Sequence, residues 1–178
     1  AHLISAEQIR QGLALDQVLF VPSARPPHKS PDGIVDPEHR YQMAKLAVAD
    51  NPYFFVSRIE INRKGPSYAI QTIQDLKKHY GPRCELSWII GSDSLIEFKI
   101  WKDYDRLLDM CQFVAINRPE YPLSEVPPDI MKRVKIFKIP FMQIAATDIR
   151  KHIRSGQSIR YLVPLAVVDY IQQHKLYH

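Results

Sequence analysis

The sequence predicts an α/β fold organised as a doubly wound parallel sheet with helices on both faces. Three observations support this: short apolar runs without polar alternation, segments with helical spacing between them, and Pro or Gly near most junctions. Runs without alternation are typical of parallel strands covered on both faces. Because strand and helix patterns alternate along the chain, right-handed crossovers are the expected connections.

The N-terminal third supplies the first helix and the first strand. Residues 3–13 have apolar positions at helical spacing, with Gly12 near the predicted end of the helix. Residues 18–21 form a compact apolar run that Pro22 stops, which predicts a buried strand. Residues 23–35, rich in Pro and basic residues, are predicted to be a loop.

The next segments are marked by good start and stop signals. An Asp-Pro-Glu sequence at 36–38 offers a cap, an N1 proline and a first-turn acid, and this helix should stop before Asn51-Pro52. Residues 53–61 are rich in aromatic and β-branched side chains and predict a strand. A helix is then expected from Ser67 or Tyr68 to about Tyr80.

Residues 86–95 are the centre of the prediction. Residues 88–90 read as a buried parallel strand, Gly91 ends it, and Ser92, Asp93 and Ser94 are N-cap candidates for the next helix. This arrangement puts a carboxylate at the carboxyl edge of the sheet, where ligands of open α/β sheets bind. On this stretch alone, a capped strand–helix turn without a ligand is the preferred interpretation.

The rest of the chain continues the alternation. The predicted elements are a short helix to about residue 101, a helix through residues 107–110, a strand at 113–116, a surface loop to about residue 129, a strand at 134–139, and helices at 147–154 and 164–174. The chain opens on a helix, whereas a doubly wound sheet normally begins with a strand. We therefore expect that a leading segment with the first strand precedes Ala1 in the natural protein, and that a chain starting at Ala1 is inactive.

Size and composition predict one globular domain spanning residues 1–178. The apolar fraction of 46% suits an ordinary core and argues against extended disorder. No apolar run is long enough to cross a membrane, and none has the form of a secretory signal. The two cysteines, Cys84 and Cys111, have neither metal-ligand spacing nor the density of a disulfide scaffold, so a cytoplasmic location is expected.

The net charge of +5 favours a polyanionic partner, either nucleic acid or a phosphorylated metabolite. Against nucleic acid, the Lys and Arg residues are dispersed among acids, without a dense basic stripe. We expect neither nucleic acid nor a membrane among the partners. The oligomeric state is open, with a homo-oligomer as one option.

Four polar groups follow predicted strands or open predicted helices, where backbone N–H groups and helix dipoles favour phosphate. They are His2, the loop with Pro27-His28-Lys29, Gly91 with Asp93, and the segment Thr147-Asp148-Ile149-Arg150. Each alone has an ordinary explanation: a helix cap, a solvated lysine, or an arginine paired with a neighbouring acid. The sequence offers no convincing Ser-His-Asp or Cys-His arrangement.

Taken together and in order, these groups resemble the bacterial nicotinate-mononucleotide adenylyltransferases, of the nucleotidyltransferase superfamily marked by a His-x-Gly-His motif. The matching segments are Ala1-His2-Leu3 at the close of that motif, Phe20-Val21-Pro22 with Pro26-Pro27-His28-Lys29, Gly65-Pro66-Ser67-Tyr68, residues 89–95 with Trp101, Asn117-Arg118-Pro119, and residues 147–150. The resemblance runs nearly end to end and implies a Rossmann-like fold.

The resemblance also implies a reaction and a set of site residues. The reaction is adenylyl transfer from ATP to nicotinate mononucleotide, with Mg²⁺ carried by ATP, no tightly bound cofactor and no protein-held metal. The implied catalytic residues are His2 and Arg150, the ATP-binding residues are His2, Gly91, Asp93, Arg118, Thr147 and Arg150, and the residues for the mononucleotide are His28, Lys29, Ser67, Tyr68 and Trp101. We expect His2, Asp93, Trp101 and Arg150 to converge on one crevice at the sheet edge.

Each implied role follows the family pattern. His2 would donate to the α-phosphate and Arg150 would hold the β- and γ-phosphates. Gly91 and Asp93 would contact the adenosine ribose, beside Arg118. Trp101 would stack on the nicotinate ring, although a core aromatic is nearly as good an interpretation of this residue.

The sequence departs from the family pattern at three places. Ala145 and Ala146 stand before Thr147, where the family usually has one or two serines. Only Thr147 and uncapped backbone N–H groups would then assist Arg150 in binding phosphate. Ala69 replaces a common Thr, which weakens side-chain recognition of the nicotinate carboxylate. The glycine-rich turn and the first histidine of the motif would lie in the segment before Ala1.

Three alternatives stay open at this point. One is an adenylyltransferase for another phosphorylated acceptor, such as phosphopantetheine. The others are a basic nucleic-acid-binding domain and a module without catalysis. The preference for nicotinate over nicotinamide does not follow from the sequence.

Overall fold

A computed structural model describes residues 1–26, 34–118, 120–139 and 144–178. Its helices and strands alternate as predicted. In chain order they are α1 (His2–Gly12), β1 (Val18–Phe20), α2 (Pro37–Ala47), β2 (Phe54–Val56), α3 (Ala69–Tyr80), β3 (Ser87–Gly91), α4 (Ser92–Ile96), α5 (Tyr104–Met110), β4 (Gln112–Ile116), α6 (Pro128–Met131), β5 (Val134–Phe137), α7 (Ala146–Arg154) and α8 (Leu165–Gln173).

The chain forms two compact units. The first unit comprises Ala1–Gly65 and Met142–His178, and the second comprises Pro66–Phe141. That both belong to one domain stays a prediction.

The described strands pair in parallel, as predicted. In the first unit β1 pairs with β2, with Val18 opposite Phe54. In the second unit the strand order is β3-β4-β5, and Gly91 at the end of β3 lies opposite Ile116 at the end of β4. Because these two strands end level with each other, the residues that follow them emerge at the same edge of the sheet.

The second unit packs around its central strand. Phe113, Val114 and Ala115 of β4 are completely buried, and Phe98 and Leu107 from the helical side pack into the same core. The unbroken apolar run at residues 113–116 predicted a strand of this kind, covered on both faces of the sheet. This core holds the ends of β3 and β4 in fixed positions.

Helix α2 of the first unit begins as its sequence predicted. Pro37 stands in the first turn, and the Asp36 side chain accepts a hydrogen bond of 2.7 Å from the Glu38 N–H. The half-buried guanidinium of Arg40 on α2 donates to three backbone carbonyls: those of Ser23, of Ala24 at 3.1 Å and of Val35 at 3.0 Å.

The predicted strand at residues 53–61 is mostly wrong. Only Phe54–Val56 pairs with a neighbour, and the chain turns beyond residue 56. The Ser57 hydroxyl accepts from the Ile59 N–H at 3.2 Å, and the Asn62 N–H donates to the Arg58 carbonyl at 2.9 Å. These local bonds satisfy backbone groups that a longer strand would have paired in its ladder.

The surface loop predicted up to residue 129 is also wrong in part. A 3₁₀ turn at Leu123–Glu125 precedes α6. Val126 is only 4% exposed and Ile130 is completely buried, so this segment contributes apolar side chains to the core of the second unit. No helix in the described part of the chain is both long enough and apolar enough to span a bilayer.

Candidate functional site

The start of α4 differs from the prediction. The N-cap is Gly91 rather than Ser92, Asp93 or Ser94, and no side chain caps the first turn. The helix begins at Ser92, one residue earlier than a side-chain cap would require. Ser92 and Asp93 instead direct their side chains to the end of the neighbouring strand β4.

Asp93 forms an ion pair with Arg118, the second residue after β4. Oδ2 of Asp93 lies 3.3 Å from Nη1 of Arg118, and both side chains are partly exposed, at 31% and 42% respectively. The other carboxylate oxygen, Oδ1, is buried, and no donor among the described residues reaches it. A buried carboxylate oxygen is normally hydrogen-bonded, so this atom has unused capacity to accept from a ligand hydroxyl.

Gly91 makes this pair sterically feasible. A Cβ added to Gly91 would overlap the Asp93 carboxylate and would lie 2.8 Å from Nε of Arg118. Its backbone is extended, with φ −79° and ψ 155°, which any residue adopts. The requirement for glycine therefore comes from the close approach of two side chains, not from backbone strain.

A second group of side chains lies where α3 begins. Tyr68 is the N-cap residue of α3, and the Lys102 ammonium lies 4.8 Å from the centre of the Tyr68 ring, a cation–π contact. Trp101, which precedes Lys102 in the chain, is half-buried and packs on Phe98, with ring centroids 5.1 Å apart. Trp101 is therefore neither fully buried nor free of the core, and both interpretations of it remain compatible with its position. Ser67, one residue before Tyr68, is half-buried.

The first unit holds the residues predicted to contact phosphate. His2 is the first residue of α1 and is exposed. Thr147 is exposed in the first turn of α7, and Arg150 follows one turn later, half-buried. The N-cap of α7 is Ala145, whose side chain cannot accept a hydrogen bond, and no side-chain cap is found among the described residues, which agrees with the serine departure noted in the sequence.

Arg150 is part of a cationic neighbourhood near the C-terminus. Burial raises the pKa of Tyr177, and the positive charges of Arg150 and Arg40 oppose that rise. Within the described part of the chain no acid pairs with Arg150, contrary to the ordinary explanation for an arginine at this position. That Arg150 binds a phosphate group of the substrate stays a prediction.

Some predicted site residues lie outside the described residues, namely His28 and Lys29, and so does Pro119 of the Asn-Arg-Pro motif. In the second unit the structure brings three of the predicted residues together, namely Gly91, Asp93 and Arg118, and it places Lys102, which was not predicted, against Tyr68. The convergence of His2, Asp93, Trp101 and Arg150 on one crevice stays a prediction. Among the described residues, no group of three or more His, Cys, Asp or Glu side chains is arranged to hold a metal ion.

Sequence reasoning missed two polar contributors. Lys102 was missed because a lysine after an aromatic residue has no distinctive pattern. The role of Ser92 was missed because its hydrogen-bond partner lies 26 residues away. The register of β3 against β4 would have been needed to find it.

Comparison with known proteins gives consistent results. The cytidylyltransferase-like family model matches residues 1–160. A probable nicotinate-nucleotide adenylyltransferase of Moorella thermoacetica is 43% identical over 183 residues, covering 99% of this chain and 84% of the relative. A probable nicotinate-nucleotide adenylyltransferase of Thermus thermophilus is 44% identical over 176 residues, covering 99% of this chain and 91% of the relative.

A solved structure confirms the fold class. The nicotinic acid mononucleotide adenylyltransferase of Plasmodium falciparum, in complex with NaAD, superposes with a TM-score of 0.80 at 18% identity, over 99% of this chain and 89% of that one. At this identity the likeness concerns the fold alone. The predicted Rossmann-like parallel α/β architecture is thereby confirmed.

Proposed function

The chain belongs to the cytidylyltransferase-like family and, within it, to the nicotinate-nucleotide adenylyltransferases, and from this membership we propose that it transfers the adenylyl group of ATP to nicotinate mononucleotide. The products are nicotinate adenine dinucleotide and pyrophosphate, so the reaction is a step of NAD synthesis. Identity above 40% over nearly the whole chain is the observation that supports this proposal best.

The reaction is a displacement at phosphorus. An oxygen of the 5′-phosphate of nicotinate mononucleotide attacks the α-phosphorus of ATP, and the bond from that phosphorus to the β-phosphate bridging oxygen breaks. Negative charge accumulates on the non-bridging oxygens and on the leaving pyrophosphate. Catalysis therefore depends mainly on positioning and on electrostatic stabilisation by cations and N–H groups.

In the first unit we assign the phosphate-binding roles. His2 donates to the α-phosphate, where charge develops during the transfer. Arg150 and Thr147, at the start of α7, hold the β- and γ-phosphates. Two observations on the described residues support this assignment: no acid among them pairs with Arg150, and α7 has no side-chain cap, so both offer donors suited to an anion.

In the second unit we assign recognition of the nucleosides. Asp93 accepts from the ribose hydroxyls of ATP through its carboxylate, with Gly91 providing room and Arg118 lying beside the adenosine. Trp101 stacks on the nicotinate ring, near Ser67 and Tyr68. The ribose role is supported by Oδ1 of Asp93, which is buried and has no donor in the part of the chain that the structure describes.

The proposal also covers the metal ion, two loop residues, the location and the assembly. Mg²⁺ enters with ATP as part of the substrate. His28 and Lys29, which lie outside the described residues, are proposed to bind the mononucleotide at its phosphate. We further propose a cytoplasmic location and a single catalytic domain, with a homo-oligomer as one assembly to test by light scattering.

The test is product analysis with the full-length protein. ATP is supplied with nicotinate mononucleotide, nicotinamide mononucleotide or phosphopantetheine, and the adenylylated product is identified by mass spectrometry. We expect nicotinate adenine dinucleotide and pyrophosphate in equal amounts. An adenylylated product formed only from phosphopantetheine, or no adenylylated product from any acceptor, would refute the proposal.

His2→Ala tests the main catalytic assignment in the same assay. Since His2 is exposed at the start of its helix, its replacement should leave the fold intact. Loss of a donor to a developing oxyanion lowers kcat by about 10²–10³-fold in other enzymes, and we expect a loss of that order here. A variant with the same kcat as the wild type would remove His2 from the catalytic set.

A further inference from the structure

Ser92 joins the two strand ends that carry the candidate adenosine site. It is the first residue of α4, it is completely buried, and its Oγ accepts a hydrogen bond of 2.9 Å from the backbone N–H of Arg118. Neighbouring Asp93 forms the ion pair with the Arg118 side chain. Two consecutive residues of α4 therefore hold the same residue beyond β4, one by its backbone and one by its side chain.

The ordinary ladder between the two strands stops just before this point. The register of β3 against β4 ends with Gly91 opposite Ile116, so the Arg118 N–H lies beyond the last paired residues. Ser92 therefore supplies an acceptor for the Arg118 N–H, which has no partner strand at this point. Because backbone donors near a core need partners, the Ser92 hydroxyl takes the place of the strand carbonyl to which this N–H would otherwise donate.

The bond also fixes a geometry that the ion pair cannot fix by itself. The Asp93 and Arg118 side chains are partly exposed, and exposed ion pairs are weak and adaptable. The hydroxyl–amide bond is directional, and its acceptor belongs to a completely buried residue. Together with the bond of 3.0 Å that the Tyr121 N–H donates to the Arg118 carbonyl, it holds the Arg118 backbone, from which the guanidinium reaches Asp93.

We propose that Ser92 is a positioning residue for ATP binding, acting through its hydrogen bond to the Arg118 N–H. This inference rests on the proposed function, because it takes Asp93 and Arg118 as the residues that hold adenosine. Ser92 itself touches no substrate. Its loss should weaken ATP binding while leaving the chemical step largely unchanged, since adenosine contacts are made equally in the ground state and the transition state.

The experiment compares Ser92→Ala and Ser92→Cys with a matched control, Ser94→Ala, in the full-length protein. Cysteine nearly preserves the volume at the buried position but accepts hydrogen bonds only weakly. We expect both Ser92 variants to raise KM for ATP by about tenfold, equivalent to about 1.4 kcal/mol, with kcat within about threefold of the wild type. Ser94→Ala, on the same helix, should keep the wild-type KM.

A double variant separates positioning from general damage to the fold. Arg118→Ala keeps the backbone N–H but removes the guanidinium that Ser92 positions. In that background Ser92→Ala should add no further increase in KM, because the two changes disrupt one unit. An equal increase with and without Arg118, a wild-type KM in Ser92→Ala, or a wild-type KM in Ser92→Cys would each overturn the inference.

Two further measurements test the inference without nicotinate mononucleotide. Hydrogen exchange of the Arg118 amide should be faster in Ser92→Ala, and unchanged exchange would overturn the inference. Calorimetric titration with ATP alone should give the same tenfold change as a dissociation constant. Wild-type protein that binds ATP but makes no dinucleotide would refute the proposed function alone, whereas absence of ATP binding would refute both.

Discussion

Gly91→Ala is the sharpest probe of the edge at which β3 and β4 end. The added methyl group would overlap the Asp93 carboxylate and approach Nε of Arg118 to 2.8 Å. Both obstructing atoms are at the ends of side chains that can rotate away, while the extended backbone of Gly91 is open to alanine. The substitution should therefore displace the ion pair and leave the fold in place.

The magnitudes support a small stability change. Losing a partly exposed ion pair costs about 0.2–1 kcal/mol, and replacing glycine by alanine at an unstrained position stabilises by about 0.4–1 kcal/mol through the unfolded chain. The two effects nearly cancel, and about 1 kcal/mol corresponds to only about 2–4 °C in Tm for a chain of this size. We expect KM for ATP to rise about tenfold, since the methyl group stands where Asp93 would meet the ribose.

Gly81→Ala is the matched control for this substitution. A Cβ there meets nothing within 4 Å, but Gly81 has φ 81° and ψ 178°, a conformation that is essentially restricted to glycine. That variant should lose about 1–3 kcal/mol of stability and keep the wild-type KM.

The assay is differential scanning calorimetry beside steady-state kinetics for both variants. Opposite outcomes are expected for the two variants: a changed KM with an unchanged Tm for Gly91→Ala, and an unchanged KM with a lowered Tm for Gly81→Ala. A Gly91→Ala variant with wild-type KM would show that the Asp93–Arg118 edge does not bind ATP. An equal loss of Tm in both variants would show that Gly91 is required by the backbone.

Three other predictions follow from single contacts. Trp101→Ala should raise KM for nicotinate mononucleotide by about three- to tenfold through lost stacking, and a large fall in Tm at unchanged KM would favour the core interpretation. Lys102 lies against Tyr68 of the proposed mononucleotide site, and only nicotinate mononucleotide carries the extra carboxylate that its ammonium could attract. Lys102→Met should therefore lower kcat/KM for nicotinate mononucleotide about two- to fivefold more than for nicotinamide mononucleotide, and equal losses for both substrates would contradict this. The control for lost positive charge is Lys99→Met, at a lysine paired with Asp129. Hydrogen bonds from Arg58 and Gln42 lower the pKa of Glu38 from its ordinary 4.5 to about 2. The folded state therefore keeps this carboxylate ionised at lower pH than the unfolded chain does, so its stabilising contribution is present above pH 4.5 and is lost as the pH falls through about 2. Glu38→Gln should therefore reduce the pH dependence of the free energy of unfolding, measured in urea, between about pH 4.5 and pH 2. The same pH dependence in both proteins would refute the assignment.

The positions of most helices and strands could be predicted because their signals are local. The Asp-Pro-Glu start of α2 was read correctly from three residues, since cap, proline and first-turn acid all act within one turn. The buried strand β4 was found because an unbroken apolar run between polar segments leaves few other interpretations. Local patterns also explain the errors. A strand-like composition at 57–61 did not reveal that Ser57 would accept the Ile59 N–H and turn the chain.

The candidate site could be predicted only in part, because its contacts join distant residues. That Asp93 lies at the sheet edge followed from a strand ending in Gly-x-Asp. That it pairs with Arg118 depends on β4 lying next to β3 in the observed register, which no local pattern contains. The cap prediction failed for the same reason. Ser92 and Asp93 are good N-caps by type, but partners on the neighbouring strand compete for both side chains and leave Gly91 as the cap.

Three consecutive residues at the end of β3 meet three different physical requirements. Gly91 must lack a Cβ because Asp93 and Arg118 occupy that space. Ser92 must combine small size with an acceptor, because it is fully buried and faces a backbone N–H that has left the sheet. Asp93 must be a carboxylate, because one of its oxygens pairs with Arg118 while the other meets no donor among the described residues. Since each requirement is set by Arg118, the order Gly-Ser-Asp and the arginine 25 positions after Asp93 form one unit, and a substitution at any of the four should change the response to the other three.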